Sequence, residues 1–517
     1  MRNFATALVL LLSAAFSACT ARTDFSVSAN VPAQYSGVWI TVEQIWLHVD
    51  AGAGPDEAGW SQFVLDSPQT FDLAALTQGG LLNLASQLDV PAGSYRQLRL
   101  FLADSDGDLT RSAQTQGLEF NNEIHWLDED GKARASSLRV LNSEKGIGAP
   151  VELNLNGEGA LGDSSSSTED TDTEPSSSEA IIDFDIARDV TSFTLGDEVG
   201  FFLSPRLSAI DKSSSGTIKG QIDVSAIPPN STSGNLEVQV SAQTLSSDGS
   251  RYSVVKSAPL GSDGSFTLFP LPASSGDAEE YDLVFHGPTV KSLIIKGVSI
   301  NEGAPADAAS TDLSDVSLVP AETFYSNIAE DQLVTLRGTR VGFYQVAEGD
   351  DGDAAPYLIE ERGIDPITGR FASEHPLSAG DYLIATSAPL FADSALTHRL
   401  GEAEDVFAVS EPVVPSSVSA YSIQFTFDLR EPIRFDRGQL LISYNGALVT
   451  AVSLERILAR PIQTPSITLN NLPAAVYYAE VWLWNAQDPF DSLERQPYLS
   501  PLDLRQGDLI GTTVTIE

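Results

Sequence analysis

Apolar and polar side chains alternate along most of this chain, and that period limits the fold more than any other property of the sequence. Residues 38–47, 95–102, 151–155 and 182–186 all carry it, and a repeat of two is the spacing of a half-buried strand. Helical spacing is rare. Residues 69–88, with Leu73, Leu76, Leu81, Leu82 and Leu84 around a Gly79-Gly80 break, form the one candidate helix. The expected class is mainly β, as tandem β-sandwich domains of immunoglobulin-like or prealbumin-like type.

A phrase of Pro or Leu, small residues and a Tyr recurs before alternating segments. It reads Val90-Pro91-Ala92-Gly93-Ser94-Tyr95, then Leu271-Pro272 with Tyr281 after an insertion, then Leu377-Ser378-Ala379-Gly380-Asp381-Tyr382, then Leu472-Pro473-Ala474-Ala475-Val476-Tyr477. Pro and Gly shape a turn, and the Tyr opens a strand with its ring inward and its hydroxyl free to reach a partner. The last three tyrosines follow one another at about 100 residues, the length of one β-sandwich. Modules are therefore expected at 216–320, 331–410 and 418–517, behind a longer first domain at 25–212. The breaks fall at 213–216 and 413–417. Residues 162–178 are a Ser, Thr, Asp and Glu tract with almost no apolar content, read as a disordered insertion inside the first domain because strand-like segments flank it.

The only cysteine, Cys19, ends an apolar run that starts just after Met1-Arg2. A charged start, an apolar stretch and small residues at the cut make 1–18 an export leader. Phe16-Ser17-Ala18-Cys19 resembles the lipobox of bacterial lipoproteins. That resemblance implies lipidation of Cys19 after cleavage, a covalent lipid as the attached group, and membrane contact through that anchor. Thr20 in the next position implies the outer membrane, facing the periplasm or the cell surface. Residues 19–24 then read as a tether holding the first domain within roughly 20 Å of the bilayer, with the other modules projecting outward.

Hydrophobic residues make up 42% of the 517, enough for real cores despite a formal charge of -42. With 29 Lys and Arg against 71 Asp and Glu, the chain repels phosphate backbones, so nucleic acid is not an expected partner. No segment after the leader approaches the apolar length of a membrane helix.

Two family resemblances follow from particular residues. The strand 42–48, Thr70-Phe71-Asp72-Leu73, the turn 90–95 and its strand, Asp183-Phe184-Asp185-Ile186, and Phe202-Leu203-Ser204-Pro205 resemble the bacterial lipoprotein domain of unknown function 4382. Gly216-Thr217-Ile218-Lys219-Gly220, Asp263-Gly264-Ser265-Phe266 and Thr368-Gly369-Arg370-Phe371 resemble carboxypeptidase-regulatory or transthyretin-like sandwiches. The first resemblance implies location and a sandwich fold but no reaction. The second implies a non-catalytic module.

No motif assigns chemistry. Gly157-Glu158-Gly159-Ala160-Leu161-Gly162 fits a dinucleotide fingerprint only in letters, because it opens no apolar helix. The histidines His48, His125, His286, His375 and His398 lack zinc-ligand spacing, and no Gly-x-Ser-x-Gly elbow is present. Asp104, Asp106 and Asp108 are weak calcium candidates, as is the 350–353 turn, since hard cations take clustered oxygens; a plain turn explains both. Asp183 and Asp185 share a strand face, read as the solvated one. Trp482 and Trp484 share another, Trp126 follows a hairpin, and Trp39 faces opposite to Trp46 by parity.

The reading is a non-enzymatic, lipid-anchored envelope protein that binds or spaces a partner, either an envelope protein or a polysaccharide. The alternative is a carbohydrate-binding surface lipoprotein, with calcium assisting. A hydrolase using dispersed carboxylates is the least supported.

Overall fold

The computed structural model describes residues 20–155 and 178–516, save 129, 197, 232, 247, 274–279, 303–307, 322, 329–332, 347–354, 371–376, 401–403, 431–433 and 460–464. Cys19, the leader, the 157–162 glycines, most of the acidic tract, the 350–353 turn, Phe371 and His375 lie outside the described residues.

The protein is mainly β, arranged in several separate sheets. The candidate helix at 69–88 is instead the end of the strand Ser61–Asp72, one 3-10 turn at Leu73–Leu76 and the strand Leu82–Pro91. Asp72 caps that turn by accepting from Ala74 N, and the leucines that mimicked a helix face are divided between a turn and a strand.

Residues 20–211 form one twelve-stranded sheet that curls around a single core containing Phe25, Val38, Ile40, Leu98, Leu100 and Phe184. Its opening strand is Thr20–Asn30. Residues 20–24, expected to be a tether, are already paired, with Thr20 opposite Pro91 and Thr23 opposite Ser178. Ile147–Leu155 and Ser178–Asp185, on either side of the acidic tract, belong to the same sheet and are joined through Ser208–Asp211.

A bulge between Val42 and Gln44 in the strand Tyr35–His48 overturns one parity expectation. The extra residue switches the inward positions from Val38, Ile40 and Val42 to Ile45 and Leu47. Trp39 and Trp46 therefore end on the same, outer face.

The other three units repeat one topology. In each, the opening strand (Ser215–Asp223, Thr323–Ile328 or Ala420–Leu429) pairs antiparallel with Ser265–Pro272, Leu377–Ser378 or Ser466–Pro473. The same strand pairs parallel with the last strand of its unit, Ser310–Ser317, Glu404–Phe407 or Leu509–Ile516. A four-stranded antiparallel sheet covers the opposite face each time. Thr323–Ile328 thus places the start of the third unit ahead of the expected 331.

The recurring tyrosines tie these sheets together. Tyr95 donates to Pro91 O at 2.7 Å, Tyr281 to Pro272 O at 2.7 Å, Tyr382 to Ser378 O at 2.9 Å and Tyr477 to Pro473 O at 2.7 Å. All four rings are buried. In the three repeated units the donor lies on the four-stranded sheet and the acceptor ends a strand of the other sheet, so one bond fixes the corner between them.

The units do not project outward in series. Trp482 and Trp484 leave the core of their own unit to Tyr477, Ala479, Val481 and Leu483, and bury their rings against Leu141, Phe193 and Phe202 of the first domain. Arg495 bridges the same boundary, donating to Glu480 at 2.6 Å, Asp104 at 2.8 Å and Val140 O at 3.1 Å. Buried Arg99 reaches Asn445 Oδ1 at 2.9 Å. The second unit meets the first domain through Lys256 and Asp183, and the third meets it through Glu361. The last unit folds back onto the first domain because its outer sheet face carries Leu441, Leu448, Trp482 and Trp484, and burying those large apolar groups is favourable.

Candidate functional site

Where the first domain meets the second and third units, a cleft of about 610 Å³ remains open. Each side is built differently. Tyr35 and Trp126 are cross-strand neighbours in the first domain, and both pack edge-on against Phe201, with ring centroids 6.0 and 5.4 Å from it and interplanar angles of 89° and 67°. Edge-to-face packing of this kind holds rings rigidly. Trp126 is half-buried, and its indole donates to Ser136 Oγ at 3.3 Å.

The floor is charged. Arg188, on the turn Ile186–Asp189, lies 3.4 Å from Glu361 of the third unit and 3.8 Å from Asp185. Glu361 also meets Arg206 at 2.7 Å and Arg340 at 3.8 Å. Burial pushes its carboxyl up, but Arg206, Arg188 and Arg340 together overrule burial and hold it well below the usual range. Asp189 beside it goes the other way, raised to about 6 because burial outweighs Arg206 and Arg340. Glu361 is thereby an anchor between two units, and its ionised form is too stable to shuttle protons at neutral pH.

The second unit supplies the last wall. Gln239 and His286 face each other across two strands, and Asn230 donates to Glu237 at 2.7 Å. Burial holds the His286 imidazole down to about 4, against the pull of Glu360 and Asp185, so it is neutral at pH 7 and offers one donor and one acceptor. The cleft thus combines flat aromatic faces with hydrogen-bonding groups, and its volume suits a small ligand or one or two residues of a polymer.

Two of the three weak calcium candidates are engaged in ion pairs. Asp106 accepts from Ser137 at 2.7 Å and from Arg139 at 3.1 Å, and Asp104 pairs with Arg495. Asp108 is exposed. Among the described residues, no group of three or more His, Cys, Asp or Glu side chains is placed to hold a metal ion. Asp183 is not on a solvated face: the second unit covers it, and it is 7% exposed. Asp104 and Asp106 are spaced for a turn and are neutralised by an arginine nearly four hundred positions away, which no local pattern reveals. Trp126 was visible in the sequence as an aromatic near a hairpin; the cleft around it was not, because it forms only where three units meet.

Residues 20–205 match the model of the family described as Domain of unknown function (DUF4382). The match spans nearly the whole first domain and agrees with the residues that suggested that resemblance. No curated protein matches the chain. Among solved structures, the chain is similar to the Bacillus anthracis TIE protein, at 8% identity over 96% of this chain and 73% of that one, with a TM-score of 0.16. It is also similar to a putative adhesin from Bacteroides ovatus, at 9% identity over 38% of this chain and 93% of that one, TM-score 0.13. A streptococcal ancillary pilin matches at 12% identity over 58% of this chain and 98% of that one, TM-score 0.12. None of these likenesses is close enough to carry over a property. Among the described residues, no helix is long and apolar enough to cross a membrane.

Proposed function

We propose that this chain is a non-enzymatic, lipid-anchored envelope protein whose four β units act as one body and bind a ligand in the cleft at their three-way junction. The observation that carries the reading is that cleft: a rigid aromatic wall facing a neutral His286 and polar groups, framed by residues from three units. A spacer would be expected to extend its modules, whereas these fold together. Acylation of Cys19 would place the membrane next to the first strand, with no tether of any length between them. The three later units, in this reading, are non-catalytic carboxypeptidase-regulatory-like modules, of which the second and third units complete the cleft.

Within that reading, a polysaccharide suits the cleft better than an apolar ligand, because aromatic rings flanked by hydrogen-bonding groups match sugar faces and hydroxyls. A glycan array probed with the full chain, followed by titration of intrinsic tryptophan fluorescence, tests it. Binding lost in Trp126→Ala but retained in Trp39→Ala, whose ring lies outside the cleft, supports the assignment. Silence across the array, or equal loss in both variants, refutes it.

A further inference from the structure

Lysine is rarely buried, and Lys256 is the one lysine among the described residues in the buried class. Its side chain is 4% exposed and lies against the also buried Asp183 across the boundary between the second unit and the first domain. The partners sit on strands, Tyr252–Pro259 and Ser178–Asp185, so neither can swing away. Ser28, aligned with Asp183 on the parallel neighbouring strand, directs its hydroxyl to the same carboxylate oxygen, Oδ1, that Lys256 Nζ approaches. Asn30 occupies Asp185 at 2.9 Å in the next pair along.

We propose that Lys256 and Asp183 condense into an isopeptide bond that joins the first domain covalently to the second unit. The Nζ lone pair attacks Asp183 Cγ, forming the C–N bond. Oδ1, steadied by the Ser28 hydroxyl, carries the charge that develops and becomes the amide oxygen. Oδ2 leaves as water, taking its second proton from the amine. No oxidant or other reactant is needed, and the dry boundary favours the side that releases water. Burial pushes the Asp183 carboxyl up even against Lys256 and Ser28. The step requires the pair's proton on Oδ2, so that the attacking amine has its lone pair and the leaving oxygen is a hydroxyl. The buried carboxylates Glu480 and Glu361 are met instead by Arg495 and Arg206, whose guanidinium groups stay charged and are poor nucleophiles.

Peptide mass mapping of the denatured full chain decides the matter. The expected result is a branched peptide containing both 183 and 256, lighter by one water than the sum of its two arms, and no trypsin cleavage after Lys256. Lys256→Arg and Asp183→Ala should each return two linear peptides of full mass. If the wild-type chain gives a linear peptide ending at a free Lys256 and an unmodified Asp183 peptide, the contact is an ion pair only and the proposal fails. A branched product that survives in Lys256→Arg refutes it as well. The wild-type measurement needs no variant to fold.

Discussion

Replacing Tyr477 with Phe removes one hydroxyl and keeps the ring, so it isolates the corner bond to Pro473 O. That bond is 2.7 Å long and lies where Tyr477 is fully buried. A neutral hydrogen bond contributes roughly 0.5–1.5 kcal/mol net, and a buried acceptor left without its partner costs about 1–3 kcal/mol. The Pro473 carbonyl stays among packed side chains, so Tyr477→Phe should destabilise by about 1–2 kcal/mol. How this reads out depends on how many residues unfold together. If the last sandwich melts alone, 1 kcal/mol lowers the midpoint by about 4–8 °C; if the whole chain melts as one unit, the larger unfolding entropy reduces the shift to roughly 1–2 °C. Differential scanning calorimetry measures both the shift and the number of transitions. An unchanged midpoint would refute the claim that the repeated tyrosine fixes the corner.

Other consequences are open to measurement. Arg495→Ala strips Glu480, 1% exposed, of its cation; an uncompensated buried charge costs about 3–5 kcal/mol, so the last unit should come away from the first domain, seen as a slower-sedimenting, more protease-sensitive chain. His286 is neutral in the fold with its value lowered to about 4 from 6.5, so the stability it contributes is complete above pH 6.5 and is lost as pH falls toward 4. The change amounts to as much as about 3 kcal/mol before solvent screening; urea unfolding at pH 7 and pH 5 should show the drop in wild type and a smaller one in His286→Gln. Labelling with radioactive palmitate should mark the wild-type chain and not Cys19→Ala, and label retained in that variant would rule out the anchor.

The β class and the tyrosine corners were legible in the sequence because each rests on local spacing: alternation for the strands, and Pro, small residues and Tyr for the corner. The strand Thr20–Asn30 was harder to see, since its partners Leu82–Pro91 and Ser178–Asp185 lie far along the chain. Trp39 was misplaced by a single bulged residue, which shifts parity without altering composition. The cleft and the arginine cluster around Glu361 were hidden for a different reason. Both are made by contacts between units, and a two-residue period says which face of a strand is apolar, not which unit covers it. Trp482 and Trp484 did carry a trace of that information, as large apolar rings on the face that its own core leaves free.

The cleft and the binding proposed for it require the four units to form one closed body. Small-angle X-ray scattering of the full chain in detergent-free, delipidated form measures this directly. A compact arrangement of this length has a radius of gyration of roughly 24 Å, and the closed packing predicts a value near it with a single-peaked, near-symmetric distance distribution. A much larger radius with a long tail, as from sandwiches strung end to end, would contradict the cleft and the function built on it.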